Sequence, residues 1–177
     1  DLLIEADGAR QKPLKAPRPH EPQVPRFVQT VVVVVGMHGL GARLNNETVH
    51  RPEIFASVSG LEPDQVVTPE SVVRVLVDRR GGLQEIPSGA RRLVLLNQAD
   101  NEDLQAQAQG MTAHLLGAYD AVVVANMQES LVHAVYEPCA GIVLAAGGAT
   151  RFGAPKQVSI WQGKPFVRIA AISALEA

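Results

Sequence analysis

Val31-Val32-Val33-Val34-Val35, closed by Gly36, is stiff, β-branched and apolar on whichever face it turns. A run of this kind suits a central parallel strand covered by helices on each side. Four more apolar runs punctuate the chain: Leu2–Ile4, Leu93–Leu96, Ala121–Val124 and Ile142–Ala146. Helical patterns lie between them. Pro69 and Glu70, followed by Val72, Val73, Leu76 and Val77, predict a helix with Thr68 as N-cap and Gly81-Gly82 as its stop. The stretch from Asn101 to Leu116 predicts a second, capped by Asp100 or Asn101 and closed by Gly117. Strands alternating with helices indicate an α/β fold with a mostly parallel sheet.

Composition narrows the class. Apolar residues make up 46% of the 177, enough for a core, but aromatics only 4%, so Val, Leu, Ile and Ala must fill it. A net charge of −2 argues against nucleic acid as a bulk electrostatic partner. The single cysteine, Cys139, excludes an internal disulfide and fits a reducing, cytoplasmic setting. No apolar run approaches the roughly 20 residues of a membrane helix, and no leader-like pattern opens the chain. The apolar opening at Leu2 and the helical pattern from Phe166 to Ala177 give the look of a chain cut at both ends. A boundary is expected around Tyr136-Glu137-Pro138-Cys139-Ala140, because Pro138 stops a preceding element; it divides the chain into residues 1–137 and 138–177.

Residues 11–26 hold five of the twelve prolines and must run as an extended loop. With Arg10 just before it, Lys12, Lys15, Arg18 and Arg26 against Glu21 leave residues 10–26 at a net +4. Such a loop beside an acidic strand end suits an anionic ligand; solvated surface is the plainer expectation. Glu5 and Asp7 stand where the first apolar run ends, so Asp7 is a weak candidate for holding Mg²⁺, or else Asp7-Gly8 only makes a turn. Pro52 fixes a helix start and Glu53 suits its positive end, which leaves His50 and Arg51 projecting just before it. The five histidines show no spacing that suits structural zinc, and His114 and His133 are expected to be partly buried on helices. Gly36-Met37-His38-Gly39-Leu40-Gly41 lacks the Lys-Ser/Thr of a phosphate loop and reads as a turn.

Asn97-Gln98-Ala99-Asp100 is similar to the Asn-Lys-x-Asp motif with which GTPases read guanine, with Gln98 in place of the lysine. Together with Leu3-Ile4-Glu5-Ala6-Asp7-Gly8-Ala9-Arg10 and His50-Arg51-Pro52-Glu53-Ile54-Phe55, it makes residues 1–136 resemble the YqeC-like family of accessory proteins for selenium-dependent molybdenum hydroxylases. The resemblance implies a P-loop-like, Rossmann-like half, a nucleotide ligand and a molybdenum hydroxylase partner. Asp7, Asn97, Asp100, His50 and Arg51 are its secondary site candidates.

A second resemblance begins at the boundary. Small residues after the run Ile142–Ala146 let backbone N–H groups approach phosphate oxygens, and Arg151 and Lys156 supply two cations five residues apart. Leu144-Ala145-Ala146-Gly147-Gly148-Ala149-Thr150-Arg151-Phe152-Gly153-Ala154-Pro155-Lys156 resembles the signature loop of the MobA-like nucleotidyltransferases. That resemblance implies the first strand–loop–helix of a second nucleotide-binding α/β domain. Leu144, Ala145, Ala146, Gly147, Gly148 and Gly153 would shape the nucleotide loop, with Arg151 and Lys156 as catalytic cations on the triphosphate. CTP or GTP would be the substrate, Mg²⁺ would bridge its phosphates, and a molybdopterin-type cofactor would receive the nucleotide. The plain alternative is an ordinary turn carrying two surface cations. The family's magnesium-binding aspartate has no counterpart here, so these 177 residues are expected to be inactive alone. Open sheet edges invite a homo-oligomer.

Overall fold

The computed structural model describes residues 2–145, 153 and 155–176. In chain order the elements are β1 (Leu14–Lys15), β2 (Thr30–Gly36), β3 (Val49–His50), α1 (Pro52–Ser59), α2 (Pro69–Val77), β4 (Arg91–Asn97), α3 (Glu102–Leu115), β5 (Ala121–Asn126) and β6 (Leu131–Tyr136). They are followed by β7 (Ile160–Trp161), β8 (Lys164–Pro165) and α4 (Phe166–Glu176). The fold is mixed α/β with a mostly parallel sheet flanked by helices. The chain divides into two compact units, Asp1–Pro138 and Cys139–Ala177. No helix among the described residues is long and apolar enough to cross a membrane.

In the first unit the main sheet runs β2-β4-β5-β6. β2 pairs in parallel with β4 from Thr30↔Arg91 to Gly36↔Asn97, and β4 in parallel with β5 from Leu93↔Ala121 to Leu96↔Val124. β6 turns back antiparallel on β5, with a shift in register between Val124 and Ala125. One face carries Val33, Val35, Val94, Leu96, Val122 and Val124, and these pack in one cluster with Phe55 of α1, Leu76 of α2 and Met111 of α3. β-branched residues fit this pleated, half-buried surface, which is why the valine and leucine runs take it.

The helix starts follow their local chemistry. Thr68 accepts a hydrogen bond from the Ser71 N–H while the Ser71 hydroxyl accepts one from the Thr68 N–H, which fixes the first turn of α2. Asn101 accepts from the Leu104 N–H and caps α3. α2 ends at Val77, ahead of the expected glycine stop. Gly81 and Gly82 instead let the chain fold back on the helix end: a Cβ on Gly81 would lie 2.0 Å from the Val75 carbonyl oxygen. Tyr119 donates from its hydroxyl to the Leu76 carbonyl oxygen at 2.8 Å, and burial pushes that phenol up from its ordinary value.

β2 is an edge strand of the main sheet, and only one of its faces is covered: Val32 and Val34 lie on the other, Val34 being 60% exposed. Five valines in a row satisfy a buried strand but do not require two covering layers. Leu2–Ile4 forms no strand, and Leu3 is 97% exposed. His133 sits on β6, not on a helix, and both it and His114 on α3 are exposed. The alternation of Val132, Ala134 and Tyr136 is a strand pattern, and it outweighs helix propensity where β5 offers a ladder.

The second unit contains the hairpin β7–β8, in which Ile160 pairs with Pro165, and helix α4. Trp161 and Phe166 stack with ring centroids 6.3 Å apart. Gly141 lies against Ala174 of α4, where a Cβ would come within 3.0 Å of the Ala174 Cβ. The run expected as a strand at Ile142–Ala146 has no strand over its described residues, 142–145, and Leu144 is 93% exposed. No described strand of this unit pairs with it, so its backbone groups have no ladder to join.

Candidate functional site at the carboxyl edge of the sheet

Because β2, β4 and β5 run parallel, their carboxyl ends share one edge, the place where ligands of open parallel sheets bind. Past β2 the chain makes a 3₁₀ turn over Met37–Gly39, which leaves His38 exposed. Past β4 it makes the loop Gln98-Ala99-Asp100 before Asn101 caps α3. Past β5 it enters the turn at Met127.

Hydrogen bonds lock these three exits together. The Asn97 side-chain oxygen accepts the Met127 N–H at 2.9 Å, and the Ala99 N–H donates to the Ala125 carbonyl at 3.1 Å. Gln105 of α3 donates from its amide to the Ala99 carbonyl at 3.1 Å. Asn97 is therefore a positioning residue between β4 and β5. Asp100, exposed at the start of α3, comes within 2.5 Å of His38 Nε2, an ion pair whenever that imidazole is protonated. The sequence offered Asn97 and Asp100 but not His38; a histidine two residues past the last strand position of a valine run was the available signal.

Gln98 holds a left-handed conformation, φ 62°, which is costly for a residue with a Cβ. Its Oε1 is buried and accepts no hydrogen bond among the described residues. The same oxygen would stand 2.2 Å from a Cβ on Gly36, and the Gly36 N–H donates to the Pro13 carbonyl at 2.8 Å. Gly36 is thus needed for close approach, and a strained residue with an unmatched acceptor marks the middle of the edge.

The other candidates gather around the pair β1–β3, where Leu14 faces Val49 and Lys15 faces His50. Asp7 pairs with the Lys15 ammonium, which also donates to the Gly8 carbonyl at 2.9 Å. Arg51, in the left-handed region at φ 69°, begins α1 but does not project from it. Its guanidinium grips Glu21 with both terminal nitrogens, Nη2 to Oε1 at 2.8 Å, and donates to the Ala16 carbonyl at 3.3 Å. That hydrogen bond holds the Glu21 carboxyl below its usual range. Burial first, and then the charges of Arg51, Arg10, Lys15 and Lys12, hold the His50 imidazole below its usual value. The proline-rich loop is therefore part of the fold: Leu14 and Ala16 are fully buried.

The magnesium expectation meets a poor donor set. Asp7 is occupied by Lys15 and Asp100 faces His38, and the described residues hold no group of three His, Cys, Asp or Glu suited to a metal ion. Among the described residues, both carboxylates are thus engaged with cationic or imidazole partners. In the second unit Gly153 sits at φ +72°, a conformation that favours glycine, and Lys156 opens a 3₁₀ turn, Lys156–Val158. Leu144 and Ala145 lie in irregular chain. Ala146, Gly147, Gly148 and Arg151 lie outside the described residues.

Comparison with known proteins adds a family likeness. The family described as YqeC protein matches residues 1–53. The uncharacterized protein YqeC of Escherichia coli (strain K12) is 36% identical over 129 residues, which cover 72% of this chain and 50% of that protein. The chain thus spans about half the length of the curated relative it matches. No solved structure matches it.

Proposed function

We propose that residues 1–138 act as a nucleotide-binding accessory module for a molybdenum hydroxylase of the selenium-dependent kind. The base is taken at the carboxyl edge, where Asp100 accepts hydrogen bonds from it and His38 holds the carboxylate in place. The observation that carries this reading is the Asn97–Asp100 loop, pinned to β5 by Asn97 and Ala99 and presenting Asp100 at the start of α3. A carboxylate there favours guanine, whose edge offers two donors, over adenine or cytosine. Calorimetric titration of GTP, ATP and CTP into the protein tests it. GTP should bind at least about tenfold more tightly, as expected of a charged hydrogen-bonded pair. Asp100→Ala should erase that preference. Equal affinities for the three nucleotides would sink the reading.

The partner is inferred from the resemblance to YqeC-like proteins, and co-purification of a molybdenum hydroxylase with the full-length protein checks it. A second reading applies to the other unit. Gly153 in its left-handed turn followed by Lys156 at a 3₁₀ start suits a loop that folds around phosphates. On this reading the full-length protein transfers a nucleotide from CTP or GTP to a molybdopterin-type cofactor and releases pyrophosphate. Arg151→Ala and Lys156→Ala should then abolish that transfer while hydroxylase binding survives. Unchanged transfer in both variants would remove it.

A further inference from the structure

Arg10 and Gln11 are consecutive residues at positive φ, 53° and 61°, in a turn closed by the Lys12 N–H donating to the Ala9 carbonyl at 3.1 Å. This mirror-image turn is one that residues with a Cβ adopt reluctantly. It places Arg10 next to the β1–β3 pair, where its guanidinium makes no hydrogen bond or ion pair with any described residue. In a parallel ladder, paired residues share a face. The Leu14–Val49 pair is buried, so Lys15 and His50 occupy the opposite face, where both are partly buried and Asp7 and Gly8 cover part of Lys15.

The donors there exceed the acceptors. Lys12 donates to the carbonyls of Asn46 and Val49, the latter at 3.5 Å, and Lys15 to Asp7 and the Gly8 carbonyl. An ammonium has three protons, so each keeps one to give. The His50 imidazole has no partner among the described residues, and Arg51 Nε next to it in the chain is buried without an acceptor. Of the four cations around the His50 ring, Lys15 pairs with Asp7 and Arg51 with Glu21, which leaves Arg10 and Lys12 without a carboxylate partner among the described residues; Glu5 lies nearby, against Gly8. Like charges brought together around a half-buried ring repel unless an anion joins them.

We propose that the outer, partly buried face of the Lys15–His50 pair, with Arg10 and Lys12, binds the phosphate group of a small molecule. A phosphate dianion matches the two cations without a carboxylate partner, Arg10 and Lys12, and its three or four oxygens can each meet one of the donor groups Arg10, Lys12, Lys15 and His50, whereas a carboxylate matches neither. The site stands on the β1–β3 pair alone and needs no base at the carboxyl edge.

The probes are inorganic phosphate and pyrophosphate, titrated into the 177-residue protein while the imidazole resonances of all five histidines are followed by NMR. The His50 signals should shift saturably, and its titration midpoint should climb back toward or past its ordinary 6.5. The exposed His114 and His133 should not respond. Arg10→Ala removes a side chain that holds nothing else in the fold and should weaken binding about tenfold. Lys15→Ala should weaken it further. Asp100→Ala should leave pyrophosphate binding intact, which separates this site from the base-reading edge. Comparison of GTP with pyrophosphate names the source: tighter GTP makes the group a nucleotide's tail, and equal affinity makes it a free phosphate, both upholding the site. An unresponsive His50, undiminished binding by Arg10→Ala, or equal displacement by acetate would overturn it.

Discussion

Two kinds of apolar run occur in this chain, and they end differently. Val31–Val35, Leu93–Leu96 and Ala121–Val124 become adjacent strands of one sheet, while Leu2–Ile4 and the described part of Ile142–Ala146 stay irregular and exposed. Composition does not separate them, since all five are aliphatic. Partners do: each of the first three finds a neighbour for its N–H and C=O groups and a helix for one face, whereas the other two find neither among the described residues. An apolar run is a bid for burial, and the rest of the chain decides whether it is met.

The largest effect that would break this comparison comes from charge. Val94→Asp places an unpaired carboxylate at a fully buried position and should cost about 4 kcal/mol or more, enough to unfold the first unit in thermal melts. Leu3→Asp, at 97% exposure, should leave the melting temperature unchanged. A cavity makes a gentler probe. Leu96→Ala should cost about 3 kcal/mol by chemical denaturation, and Leu144→Ala less than about 0.5 kcal/mol. Smaller still is the contrast across the two faces of β2. Val35→Thr buries a hydroxyl and should cost about 1 to 2 kcal/mol, whereas Val34→Thr should stay within about 0.5 kcal/mol. Equal losses from the two would mean that the open face is covered in solution.

The smallest effect is a pH slope, part of which comes from the paired region. His50 titrates below 6.5 when folded, so the unfolded chain binds its proton first, and stability is complete above that value and declines as pH falls through it. Glu21 titrates below 4.5 because of Arg51, so its contribution is present above 4.5 and is lost on further acidification. His50→Gln should flatten the first part of this decline, measured as melting temperature against pH, and leave the part set by Glu21.

Much of this was legible from local signals. Thr68 and Asn101 announced their helices because a cap is an interaction within four residues. The three parallel strands announced themselves by their valines and leucines. The order of those strands was not legible, because nothing within Val31–Val35 says that it has one neighbour instead of two. β6 was missed although its alternation was there to read. Asn97 and Asp100 were singled out through their motif, but the contacts of Asn97 with Met127 and of Asp100 with His38 are ones that only the parallel arrangement brings near. Arg51 was identified as exposed chemistry and is an internal tie, since its partner Glu21 lies thirty residues earlier on a loop.

The parallel register of β2 on β4 also bears on how the chain folds. Closing Thr30 onto Arg91 spans about sixty residues, whereas β5 meets β6 across a short turn at Asn126↔Leu131. The entropy of long loops is lost before their contacts are gained, so local pairings form early and distant ones late. Mutational φ-values should therefore be high at Val122 and near zero at Val33; the reverse order would show β2 in the nucleus. On that schedule the valine strand joins last, and substitutions within it hasten unfolding more than they slow folding.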